Sequence, residues 1–340
     1  MNSNSSSIID LVGLTRALVD IDSTTGREKD AGVWLSRYLR DRGFSVTEQD
    51  VDGSRFNLLA TCGGAPPLAV FSTHFDCVPP FFPSRLDGDR IVGRGSCDAK
   101  GILAAQVAAA ATLWREGETR VGLLFLVGEE RGSDGARVAN RAANGCRFLV
   151  NGEPTDNRLG LATRGMMRVK LRASGRAAHS SLPELGESAI DKLLDALVEL
   201  RSIALPSDEL LGLTHYTVGL ISGGVAPNVV SPSAEAEVMF RIVSEAAEVR
   251  RAIAPLERHL AIEPVLDVPP VKLTTVPGFE SAVFPYTTDI PFLKDWGQPL
   301  LFGPGSIHVA HTAGEFVEVG GLRAAVDGYV RIAYELLGRP

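Results

Sequence analysis

The chain has 340 residues, 45% apolar and 22% charged, which is the balance of an ordinary soluble globular protein with one large domain or two smaller ones. A formal net charge of −7 argues against nucleic acid or an anionic membrane surface as the main partner. No apolar run is long enough to span a bilayer, so no membrane association is expected.

The N-terminus, MNSNSSSIIDLVGL, lacks a basic start and a small-residue cleavage site, and reads as a frayed end rather than a signal peptide. The cysteines, Cys62, Cys77, Cys97 and Cys146, are few and scattered, with no CxxC pairing. That usage suits a reducing cytoplasm; Cys77 and Cys97, beside candidate ligands, read as small buried thiols before they read as metal ligands.

In chain order, residues 8–21 and the segment TGREKDAGVWLSRYLRDRG have helical spacing, with Thr25 as a cap and Gly43 as a stop for the second. FSVTEQD and FNLLATC read as strands joined by a turn at Asp52-Gly53. LAVFSTH is a buried strand, ILAAQVAAAATLWRE an Ala-rich buried helix, VGLLFLVG a buried strand, GARVANRAA a helix and CRFLVNG a strand. This is a βαβ rhythm, and apolar runs of this kind mark a mostly parallel sheet covered on both faces.

Near residue 166 the rhythm changes. MRVKLRASG alternates as a half-exposed strand does, and ESAIDKLLDALVELRSI follows as a helix. HYTVGLISGG and AEAEVMFRIV are strands, EAAEVRRAIAPLERHL is a helix, and a last strand lies near VLDVP. That β-α-β-β-α-β order is a ferredoxin-like unit. QPLLFGPG and a C-terminal helix from Gly321 return to the first style. The expected fold is therefore α/β. A catalytic domain of residues 1–165 and 274–340 has a mixed, mostly parallel sheet flanked by helices. A smaller α+β domain is inserted at 166–273.

Several lone acids and histidines stand at the ends of the apolar runs: His74 and Asp76, Glu129 and Glu130, and Glu153, with Asp98 in GRGSCDAKG and His311 in HVAHTAGEF. Ligands of open α/β sheets bind beyond the carboxyl ends of the strands. Carboxylates and imidazoles gathered there repel and desolvate one another unless cations sit among them, and divalent metals are the simplest resolution. His-X-Asp on an extended chain points both side chains to one face, so Asp76 can accept from the His74 ring. Each residue also has a plainer reading: His74 as a satisfied core histidine, Glu129-Glu130 as a helix start, Asp98 as a helix cap, Glu153 as loop polarity. Asp134 and Lys100 read as surface or structural residues, and His308 as a neighbour of His311 without a ligand role.

The motifs THFDCVPP, GRGSCDAKG, GEERGSDG, GEPT, GRAAHSS, APNVVSP and GPGSIHVAHTAGEF, in this order, resemble those of the aminoacylase, acetylornithine deacetylase and succinyl-diaminopimelate desuccinylase family of metallopeptidases. The resemblance covers nearly the whole chain and implies a set of roles. His74 and Glu153 would hold one metal, Glu130 and His311 the other, and Asp98 would bridge both, with an unusual cis peptide after it. Asp76 would orient His74, and Glu129 would be the general base. Two divalent metals are implied, zinc by default with cobalt or manganese as substitutes. Metals about 3.5–4 Å apart clamp both the attacking and the leaving oxygen. The resemblance also implies a homodimer in which the inserted domain is lid and interface. His179 would reach the partner's site to stabilise an oxyanion, while Asn228 and Arg241 would hold the substrate carboxylate.

The closest likeness in look is to acetylornithine deacetylase, a step of amino-acid biosynthesis, so removal of an acetyl group from an N-acyl-L-amino acid is the expectation. The alternatives are a desuccinylase or a dipeptidase/carboxypeptidase of the same family. From another class stands a non-catalytic metal-binding relative, which would be expected to have lost a ligand or the base. A nucleotide-binding α/β protein is disfavoured, because GRGSCDAKG lacks the GxxxxGK[ST] spacing and no GxGxxG opens a helix.

Overall fold

The structure, a computed structural model, describes residues 9–339 except positions 64 and 144; the frayed end read from the sequence lies outside the described residues. The chain forms two compact units. One comprises residues up to Leu161, Leu273–Ala282 and everything from Thr288, and the other comprises Ala162–Lys272 with Val283–Thr287.

The first unit opens with α1 (Leu11–Val19), capped by the Asp10 carboxylate, and α2 (Lys29–Arg40). β1 (Ser45–Asp50) and β2 (Phe56–Thr61) form an antiparallel pair around a turn in which Gly53 takes a φ of 79°. β3 (Ala69–His74), α3 (Lys100–Arg115), β4 (Val121–Leu126), α4 (Asp134–Asn140) and β5 (Phe148–Asn151) follow.

The second unit contains β6 (Gly165–Ser174), α5 (Ala189–Leu200), β7 (His215–Gly223), β8 (Ser233–Ile242), α6 (Ala246–Ile253) and β9 (Ala261–Val268). Its sheet has the order β7-β8-β6-β9, all antiparallel, which is the ferredoxin-like arrangement. In β6 and β8 buried residues alternate with half-exposed or exposed ones, and the buried face packs Val169, Leu171, Val238 and Phe240 against Leu193 of α5 and Val249 of α6. The helix expected through Leu260 stops at Ile253 and continues as a 3₁₀ turn, Ala254–Arg258. Pro255 has no N–H to continue the α ladder.

Back in the first unit, β10 (Gln298–Leu301) completes a six-stranded sheet of order β1-β2-β4-β3-β5-β10. β4, β3, β5 and β10 are mutually parallel, and β1 and β2 run antiparallel at one end. α7 (Val319–Leu337) starts two residues before the expected Gly321, because Val319 is buried with Ile91, Val317 and Leu322 and anchors the first turn.

Both faces of the parallel strands are covered. Phe71, Leu123 and Phe125 face α1, α3 and α7, while Val70, Leu124 and Leu126 face α4 and Trp296. Phe71 is fully buried, with its ring centroid 5.0 Å from that of Tyr329 in α7. Phe71→Ala should therefore cost about 3–5 kcal/mol. Thermal melting of the variant checks this, and an unchanged melting temperature would count against the packing. Among the described residues no helix is long and apolar enough to cross a membrane.

Candidate metal centre

Because four neighbouring strands are parallel, their carboxyl ends share one edge of the sheet. His74 ends β3 and Asp76 follows two residues later. Glu129 and Glu130 follow β4, Glu153 follows β5, and His311 lies on the segment after β10. Asp98 arrives on the loop that enters α3, and the Asp98–Ala99 peptide is cis. Asp98 is not the helix cap: Ala99 occupies that position, without a side-chain capping hydrogen bond.

His74 is 1% exposed. Its Nδ1 lies 3.1 Å from the Asp76 carbonyl and 3.3 Å from the Asp76 carboxylate, so the ring proton belongs on Nδ1 and Nε2 carries the lone pair that could meet a cation. Nε2 is 3.0 Å from Asp98 Oδ1. On the other side of Asp98, His311 Nε2 is 3.3 Å from Oδ2 and 3.0 Å from Glu130 Oε1. One carboxylate thus spans two imidazoles.

Asp76, fully buried, accepts from the Thr25 hydroxyl at 2.8 Å and from the backbone N–H groups of Glu129 and Glu130 at 3.1 and 3.2 Å. It therefore fixes the His74 ring and the direction of the Glu129-Glu130 turn together. That turn is 3₁₀, Glu129–Arg131. Gly128 makes the bend possible: its φ is 76°, and a Cβ there would stand 2.1 Å from the Asp134 carboxylate.

The electrostatics ask for positive charge. Burial alone would lower the His74 pKa, yet Asp76 and Asp98 hold it well above its ordinary value. Hydrogen bonds to Asp98 and Glu130 push His311 up to about 10. Burial pushes the Asp98 carboxyl up, but the two imidazoles more than reverse this and bring it below the usual carboxylate range. Burial, then the Glu153 charge, raise Glu129 well above its ordinary value, against the pull of His74. Glu153 is raised by burial too, with His74 opposing and Asp98 adding.

The residues fit a divalent cation on two counts. His74, Asp98 and Glu130 each offer a ligand atom, all within 4.8 Å of one another. Glu153, 5% exposed, has a buried Oε1 with no hydrogen-bond partner among the described residues. A buried, unsatisfied carboxylate oxygen is costly unless something cationic meets it. Mixed imidazole and carboxylate donors suit zinc, cobalt or manganese.

In the second unit, His179 is exposed. Its Nδ1 accepts from the Ser181 N–H at 3.2 Å and lies 2.8 Å from the Ser181 hydroxyl, so a neutral ring carries its proton on Nε2. Asn228 is exposed and close in fold to His179, since the Ser180 N–H donates to the Asn228 carbonyl at 3.0 Å. Arg241 on β8 is half-buried, burial lowers its pKa, and it has no ion pair among the described residues.

Sequence reasoning missed several participants. Thr25 is not a helix cap, since Glu28 holds that position and Thr25 binds Asp76 instead. Glu315, 1% exposed, accepts from the Cys97 and Asp98 N–H groups and pairs with Arg94 at 2.6 Å. Asp289, 1% exposed, has a carboxyl that burial pushes up to about 7. Lys100 is buried and donates to the Ile21 carbonyl, and Asp134 pairs with Arg55, so both are structural. Cys77 and Cys97 are buried thiols, raised in pKa by burial. His308 is exposed.

The model of the peptidase family M20/M25/M40 matches residues 70–335. A peptidase M20 domain-containing protein of Schizosaccharomyces pombe is 38% identical over 334 residues, covering 95% of this chain and 84% of the relative. A probable carboxypeptidase of Aspergillus oryzae is 36% identical over 373 residues, covering 95% and 87%. Among solved structures, aminopeptidase PepT from Bacillus cereus superposes with a TM-score of 0.81 at 21% identity, covering 97% of this chain and all of that one. A dinuclear metal binding peptidase of the M20 family from Bacillus subtilis gives a TM-score of 0.73 at 16% identity, covering 97% and 98%. The chain belongs to peptidase family M20/M25/M40 and is a metallopeptidase, a hydrolase of amide bonds.

Proposed function

We propose that the chain hydrolyses the amide bond next to a free C-terminal carboxylate, in a dipeptide or other short peptide. The observation that carries this reading is the cluster of His74, Asp98, Glu130 and His311, with the unpartnered Glu153 oxygen and Glu129 beside it. We assign His74 and Glu153 to one divalent ion, Glu130 and His311 to a second, and Asp98 to both, with zinc as the default and cobalt or manganese as substitutes. Bound there, such ions supply Lewis acidity, polarising a carbonyl oxygen and making water acidic near neutral pH.

Glu129 takes the proton from the attacking water and returns it to the departing amine. Burial has raised its carboxyl, which makes it a better proton acceptor than an ordinary glutamate. Asp76 keeps the His74 ring and the Glu129 turn in register. His179, from a second copy of the chain, donates its Nε2–H to the developing oxyanion. Arg241 and Asn228 hold the substrate carboxylate, and the lack of an acid partner for Arg241 among the described residues supports that assignment.

Pairing with a second copy is supported by β7. It is an edge strand of its sheet, and it carries Leu220 and Ile221 at 65% and 58% exposure, an arrangement that invites a partner strand. The carboxypeptidase names of the Aspergillus relatives put a peptide ahead of the acetylated amino acid expected from sequence. Removal of an acetyl group is the second reading, favoured by GPG followed by AHTAGEF. A non-catalytic relative is disfavoured because the ligand set and Glu129 are all present.

A panel of dipeptides, their C-terminally amidated counterparts and N-acetyl amino acids, with a chelated control, tests the reading. Cleavage of free-acid dipeptides but not of amides supports it, and chelator-resistant or amide-tolerant cleavage contradicts it. Arg241→Ala should raise KM for free-acid substrates about 10–100-fold, the loss of a charge-assisted hydrogen bond worth about 1.5–3 kcal/mol. The same substitution should leave the residual rate on amidated substrates nearly unchanged.

A further inference from the structure

We infer that Glu315 is a positioning residue that joins the loop carrying Asp98 to the segment carrying His311, and that Arg94 is its counter-ion. The inference rests on the reading of Asp98 and His311 as metal ligands. Glu315 Oε1 accepts from the backbone N–H of Cys97 at 3.1 Å and of Asp98 at 3.0 Å. Its Oε2 accepts from Arg94 Nη1 at 2.6 Å. Its own carbonyl accepts from the Gly93 N–H at 3.0 Å. One residue therefore grips both ends of the stretch Gly93–Asp98.

The grip is buried and tightly packed. The Arg94 and Glu315 side chains are 3% and 1% exposed. A Cβ on Gly95 would stand 2.5 Å from Cys77 Sγ, and one on Gly101 would stand 2.3 Å from the Ser96 carbonyl, so the loop has no room to relax. Arg94 Nε also reaches the Pro80 carbonyl at 3.3 Å, which ties in the chain that follows Asp76.

His311 lies only four residues before Glu315, with its backbone at a φ of 63°. The spacing between Asp98 Oδ2 and His311 Nε2, 3.3 Å, is thus set across a short, rigid path through Glu315. A carboxylate suits this task because it accepts from two amides and a guanidinium at once. Glutamine in its place would turn an N–H₂ toward Arg94 or toward the amides, leaving two donors face to face. Partners of this kind, which orient ligands without touching the metal, typically carry a 10- to 100-fold effect on metal affinity.

The test is divalent metal affinity, measured by competition with a chromogenic chelator well below the melting temperature, on full-length Glu315→Gln, Arg94→Lys and Asp98→Ala alongside the wild type. Zinc alone is the probe, so no substrate is needed. Glu315→Gln should weaken the tighter zinc site about 10- to 100-fold in the folded protein, Arg94→Lys should weaken it less, and Asp98→Ala should weaken it most. Glu315→Gln with wild-type zinc affinity, while Asp98→Ala has lost zinc, would overturn the role of Glu315 alone. Asp98→Ala with wild-type affinity would instead overturn the reading of the metal site. If Glu315→Gln does not fold, Arg94→Lys decides: wild-type affinity in that folded variant rejects the clamp.

Discussion

Glu129→Gln should lower kcat by about 10²- to 10⁴-fold, the usual contribution of a positioned general base, while metal content stays that of the wild type. The substitution keeps the shape of the side chain and removes its ability to take a proton. The turn that carries it is held by Asp76 through the Glu129 and Glu130 backbone N–H groups, not through the Glu129 side chain, so the site should keep its form. KM should change little, because a base acts in the transition state and not in ground-state binding. Loss of metal in this variant would move Glu129 into the ligand set, and near-normal turnover would remove it from the chemistry.

Removal of the metals should abolish turnover and also destabilise the first unit. Without cations, Glu129, Glu130 and Glu153 are acids raised by burial and by neighbouring carboxylates, and the buried Glu153 oxygen has no partner among the described residues. A ligand at about 1,000 times its Kd stabilises a native state by about 4 kcal/mol. The melting temperature of chelated protein should therefore rise on adding zinc, and His74→Ala should blunt the rise. A thermal midpoint indifferent to zinc would count against a buried metal site.

The parallel strands and the positions of the acids at their ends were legible in the sequence because three of the apolar runs stop at or within three residues of an ionisable side chain: His74, Glu129 and Glu153. The ferredoxin-like unit was legible because the order of strands and helices changes near residue 166 and because β6 and β8 alternate between buried and less buried residues. What escaped were residues whose role depends on distant partners. Thr25 looks like a helix cap, yet its partner Asp76 is 51 positions away. Glu315 reads as the tail of HTAGEF, yet it binds the Asp98 N–H across 217 positions. Asp289 sits in an unremarkable TTDIP segment, and only the fold shows that its carboxyl is buried. The helix start read at Glu129-Glu130 is a single 3₁₀ turn, entered through a positive φ at Gly128 immediately after an extended strand.

The sharpest test of the reading is metal content per chain measured alongside dipeptide hydrolysis, in wild type and His74→Ala, before and after chelation and reloading. Two divalent ions per wild-type chain, with activity that disappears on chelation and returns on reloading, and a His74→Ala variant deficient in both, is the outcome the site geometry leads to. Full hydrolysis by metal-free protein, or by His74→Ala without bound metal, would contradict it.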